Sequence, residues 1–166
     1  MKNRLLIYVA AALVFPMSVA LASGPPEMKE GLWSLDRQTI DNPGNKKEVW
    51  PAIKICRNHA YDEYVMGLTK KMTSCTTTNE STQGNKYSTG SKCVVGKTTI
   101  VTKGTTTFES DTAAHGESQT TYTPAMDGKS ETIMITDSKY IGSCPAGVQP
   151  GDRINADGSI AHGWKH

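Results

Sequence analysis

Cys56 and His59 stand in a C-x-x-H spacing, with Asp62 and Glu63 close behind. A thiolate beside an imidazole is how a zinc or copper site begins, so metal handling at Cys56 and His59 is one chemistry to weigh. The other cysteines, Cys75, Cys93 and Cys144, are single and widely spaced. In an oxidising compartment such cysteines pair with each other before they ligate metal, and no metal or other cofactor is expected. Haem attachment needs C-x-x-C-H, which the sequence lacks. Asn155–Gly158 reads Asn-Ala-Asp-Gly, like the middle of a calcium loop. In that register the first and twelfth positions fall on Arg153 and Trp164, where carboxylates are required, so a plain turn is expected.

No set of residues offers a nucleophile, a base and an orienting acid together. His115 sits beside Gly116 in a stretch that reads as a turn, and His162 and His166 fall near the chain end. Exposed histidines of that kind are usually solvated. The expectation is a non-enzymatic protein with no catalytic residue.

These residues must be held by something, and the chain says how. Lys2 and Arg4 precede an apolar run from Leu5 to Phe15, and Ala20–Ala22 carries the small-x-small pattern of a cleavage site. That is an export signal, expected to be cut after Ala22 to leave a mature chain of about 144 residues, periplasmic or secreted. The run is too short to span a bilayer, and no transmembrane segment is expected in the mature chain. Two of the 18 Lys+Arg lie in the leader, so the remaining basic residues equal the 16 Asp+Glu. A neutral domain lacks the electrostatic footprint of a nucleic-acid binder. The one basic cluster, Thr69–Met72, reads as a solvated loop.

After residue 22 the chain has 19 Leu, Ile, Val and Phe against 20 Thr. The apolar set is roughly 13% of the mature chain, below the fifth or so typical of well-filled cores. Two disulfides among Cys56, Cys75, Cys93 and Cys144 are expected to supply the missing order, each worth about 2–4 kcal/mol.

Threonine favours half-wet strands. From Cys75 onward, runs of such residues are separated by turn signals at "TQGN", Gly96–Lys97, "DTAAHG" and Asp127-Gly128. Five runs joined this closely form an antiparallel meander. Upstream, "EGLWSLDRQTI" and "KEVWPAIKIC" flank an "NPGN" turn and add two strands. Between Cys56 and Cys75 lies one helix, capped by Asn58, with Tyr61, Tyr64, Val65 and Leu68 on one face packed against the sheet. Gly104 inside its strand suggests a bend or bulge, and Ile133, Met134 and Ile135 suggest a strand covered on both sides. The fold class is therefore mainly β: a curved antiparallel meander or partly closed barrel of about seven strands with one short helix. Residues 1–22 form the leader, 23–157 one domain, and 158–166 a flexible tail.

The order of several motifs resembles a known family. Gly31 and Trp33 in "MKEGLWSL", a cysteine introducing a helix (Cys56), two strand cysteines (Cys75, Cys93) and "IGSCPAGVQPGD" are similar to the bacterial domain-of-unknown-function family 3617. The resemblance runs from about Met28 to Asp157 and implies an exported, mostly β protein of Gram-negative bacteria. It implies no activity.

Four cysteines allow three pairings. A hairpin centred on Gly84 sets Cys75 opposite Cys93, which favours giving each a more distant partner: Cys56–Cys75 to staple the helix loop, and Cys93–Cys144 to tie the meander. A curved sheet with few bulky core residues leaves a concave face. Trp33, Trp50, Tyr87, Phe108 and Tyr122 are the aromatic residues available to line it for an apolar small molecule. The alternative is a structural or stress-related module that meets an envelope protein through an exposed edge strand. Neither reading fixes the oligomeric state.

Overall fold

The computed structural model describes residues 24–163, so residues 1–23 and 164–166 lie outside it. Seven long strands form the body: β1 (Gly31–Asn42), β2 (Lys46–Arg57), β3 (Cys75–Gln83), β4 (Lys86–Val95), β5 (Thr98–Ser110), β6 (Ala113–Met126) and β7 (Lys129–Gly142). The helix α1 (His59–Lys71) joins β2 to β3, and two short strands, β8 (Arg153–Ile154) and β9 (Ile160–Ala161), follow. They make one antiparallel sheet in the order β3-β4-β5-β6-β7-β1-β2-β8-β9, which does not close.

Local chemistry sets most of these boundaries. The β6–β7 turn is Asp127-Gly128 with φ of 51° and 78°, the left-handed pair that matches the twist of a tight hairpin. Asn58 caps α1 by accepting the Tyr61 amide at 2.9 Å on its Oδ1. Two expectations fail locally. "DTAAHG" is mostly strand, because the β5–β6 turn needs only Asp111 and Thr112, and β6 begins at Ala113. Pairing also runs unbroken through Gly104; the irregularities fall elsewhere, including a bulge in β2 beside Pro51, which has no N–H to give the ladder.

The core is as small as the composition requires. Met28, Trp33 and Ile55 form its centre, with Leu35, Tyr61, Phe108, Ala114 and Tyr140 packed around them. Trp33 is fully buried, donates its indole N–H to the Lys29 carbonyl at 2.9 Å, and meets Tyr140 edge to face at 6.0 Å. On β7, Met134 is exposed between two half-buried isoleucines, so that strand is not covered on both sides.

The disulfides are Cys56–Cys144 and Cys75–Cys93, not the expected pairs. Cys75 does sit directly opposite Cys93, and that proximity decides the matter. The Val94 amide bonds the Ser74 carbonyl, which makes 75/93 a non-hydrogen-bonded pair with Cα atoms 4.0 Å apart. Cys93–Cys144 is ruled out by strand order: β5 and β6 separate β4 from β7, three steps of about 4.8 Å each, beyond disulfide reach. Cys144 instead meets Cys56 across the start of β1, where Leu32 pairs with both Cys56 and Gly142.

The C-terminal stretch is held in place as well. The Cys56 amide donates to the Asp152 carbonyl at 3.1 Å, and Gly151 N–H donates to the Cys56 carbonyl at 2.8 Å. Ile154 and Arg153 pair with β2, and Ile160 and Ala161 pair back on them. The expected boundary at Asp157 thus falls inside a hairpin, with Ile160 and Ala161 beyond it paired to β8 and residues 164–166 outside the described residues.

Two outcomes follow. Replacing Cys56 and Cys144 together by Ala opens a loop spanning 88 residues, against 18 for Cys75 and Cys93. Chain-entropy arguments then give a loss of about 4–5 kcal/mol for the first bridge and about 3 for the second, read from urea midpoints. Gly31→Ala places a Cβ 2.5 Å from the Gly142 carbonyl oxygen at a φ of +140°. It should cost about 2 kcal/mol or more in thermal unfolding, as strained sites do.

Candidate functional site

Between α1 and the sheet lies an open cavity of about 680 Å³. Its floor is one face of the meander: Leu35 and Ile55 from one side, Tyr87, Thr106, Phe108, Ala114 and Ser138 from the rest. Leu35 pairs with Ser138, Ser138 with Ala114 and Ala114 with Phe108, so these side chains form one row across four strands. Strands β2 and β3 stand far apart in the sheet order yet line the same space, which requires the sheet to roll toward α1. The segment from Gly24 to Met28 forms part of the rim, held where the Thr82 hydroxyl donates to the Gly24 carbonyl at 2.7 Å.

The helix spans this space more than it packs into it. Tyr61 reaches the core, but Val65, Met66 and Leu68 are left 42%, 40% and 39% exposed. The expected apolar stripe is there, with Tyr61 and Tyr64 half-buried and Tyr61 packed on the core cluster. Five polar groups on the wall are matched to each other. Arg57 is ion-paired to Asp62 at 2.8 Å, and Lys70 to Glu80 at 2.7 Å. The Tyr87 hydroxyl donates to Glu80 at 2.8 Å. Lys70, then Tyr87, hold Glu80 below the usual carboxylate range, while burial and then the Glu80 bond push Tyr87 up to about 12.

The five aromatic residues singled out from the sequence have separate fates. Tyr87 and Phe108 line the cavity. Trp33 is sealed in the core beneath it. Trp50 lies opposite Arg37 and is 46% exposed, its indole N–H on the Thr39 hydroxyl at 3.3 Å. Tyr122 is half-buried farther along β6, its hydroxyl toward Thr132.

The C-x-x-H motif does not offer a thiolate. Cys56 is bonded to Cys144, and His59 Nε2 contacts the Met28 carbonyl at 3.2 Å, so the pair does not form a thiolate–imidazole set. The Asn155–Gly158 segment is the β8–β9 turn, with Asp157 accepting from the Ser159 amide and hydroxyl at 2.9 and 2.6 Å. His162 Nδ1 lies 3.1 Å from buried Asp152. His166 lies outside the described residues.

One cluster went unseen in the sequence. His115 is on β6, not in a turn, with Nδ1 2.7 Å from Asp137 and Nε2 3.2 Å from Glu117. Asp137 is its direct cross-strand partner and Glu117 its i+2 neighbour on the same face. Only the correct β5–β6 turn length reveals that register. The cluster projects from the face opposite Ala114, away from the cavity.

A family model described as "Protein of unknown function (DUF3617)" covers residues 28–144, from buried Met28 to bridged Cys144. No curated protein matches the chain.

Asp137, then Glu117, raise the His115 pKa above its ordinary 6.5. A raised histidine stabilises the fold fully below the unfolded value, and this contribution fades as pH rises through the folded value. NMR titration should therefore place the His115 midpoint above 6.5, and Asp137→Asn should move it down. A His115 midpoint at or below 6.5 would break the assignment.

Proposed function

The chain belongs to the DUF3617 family of proteins of unknown function, and on that premise we propose that it is an exported, non-enzymatic domain that binds an apolar small molecule in the cavity beneath α1. One observation carries the reading: a space of about 680 Å³ whose floor is core-forming residues and whose roof is a helix with Val65 and Met66 incompletely covered. Small-molecule sites have this size and this mainly apolar lining. An occupant touching Val65, Met66, Tyr87 and Phe108 removes from water the apolar surface that the protein itself leaves half covered.

Export is supported by the leader-like residues 1–22 and by two disulfides, which persist in oxidising compartments such as the periplasm. No helix among the described residues is long and apolar enough to cross a membrane.

Extraction of protein isolated from the periplasm, followed by mass spectrometry, should recover a bound apolar molecule in stoichiometric amount. Emptied protein should bind a neutral hydrophobic dye, and Ala114→Phe, which fills the floor, should weaken that binding by about tenfold or more. A clean extract together with no dye binding sinks the proposal.

A further inference from the structure

We infer that the ligand of this cavity is a single-chain amphiphile whose anionic head group is held by Arg37; this rests on the binding role proposed above. Arg37 is half-buried on β1, two residues beyond Leu35, which lines the cavity. β1 runs regularly against β7 here, with Leu35, Asp36 and Arg37 opposite Ser138, Asp137 and Thr136, so Leu35 and Arg37 face the same side.

From Arg37 the row continues through Thr136, Gly116, Thr106 and Tyr87, and the last two line the cavity. Gly116 has no side chain, and a Cβ there would already touch Thr106 and Thr136 at 3.7 Å. The row is thus a low, polar trough leading from the apolar space to a guanidinium.

What sets that guanidinium apart is burial of its inner nitrogen. Arg37 has no ion pair among the described residues, and its Nε is buried without a hydrogen-bond partner. A buried donor of this kind normally finds an acceptor, and a guanidinium fork fits a carboxylate or a phosphate best. The cavity takes the chain, and Arg37 takes the head.

The test compares dodecanoate, dodecyl phosphate, neutral 1-dodecanol and dodecyltrimethylammonium on emptied full-length mature protein. Wild type should prefer at least one anionic probe to the cationic one by tenfold or more. Arg37→Gln should weaken the preferred anion by roughly 10- to 100-fold, the worth of hydrogen bonds to a charged group, with dodecanol unchanged. Which anion is preferred separates a carboxylate from a phosphate head. If dodecanol binds and the anions show neither preference nor dependence on Arg37, this inference fails and the cavity's binding role stands. If no probe binds, both fail. Should Arg37→Gln not fold, the wild-type ranking of anion over cation still decides: no preference overturns the inference.

Discussion

The fold depends on a single knot at the start of β1. Cys56 is 1% exposed, bonded to Cys144, and held on both backbone sides by the loop that ends in Pro150, Gly151 and Asp152. Around the same corner, Gly31 lies so close to the Gly142 carbonyl that no side chain fits. Arg57 covers the Trp33 ring at 4.9 Å. The knot fixes where β7 ends, where α1 begins, and how the C-terminal hairpin closes over β2. A domain with three residues at its core centre has little else to do this with. Covalent closure of a long loop removes unfolded-state entropy that burial here cannot offset.

The same shortage of bulk explains the cavity. Across the inner face, the rows beyond Phe108 and Leu35 are filled by Thr106, Gly116, Thr136, Gly104 and Ser118. These are small, and threonine keeps strand propensity without supplying volume. A rolled sheet floored this way cannot reach a helix held at both ends by β2 and β3. The helix therefore stays above it, with its apolar stripe half wet. The void is a consequence of composition before it is a feature of function.

What the sequence made legible was local. Asp127-Gly128 dictated a turn, and Asn58 dictated a helix start, because in each case the cause lies within three residues of the effect. The count of long strands and the thin core were legible for the same reason. The disulfide pairing was not, although its key was in hand: Cys75 opposite Cys93 was read as a reason to look elsewhere, when a non-hydrogen-bonded pair is where two sulfurs meet most readily. His115 was hidden by a turn drawn four residues too long. Arg37 carries no local signal at all; its buried, unpartnered Nε appears only in the folded chain.

Several ionisable groups of the cavity wall are paired to one another. A general acid or base works best with a pKa near the working pH. Here the ion pair with Lys70 drives Glu80 further down, and burial drives Tyr87 to about 12, so both move away from neutrality. The Glu80 shift comes first from its Lys70 partner and the Tyr87 shift first from burial, and each favours the protonation state the group already holds. The histidine whose pKa is moved, His115, projects from the other side of the sheet, clamped between two carboxylates. The paired groups of the wall suit the binding role proposed for the cavity.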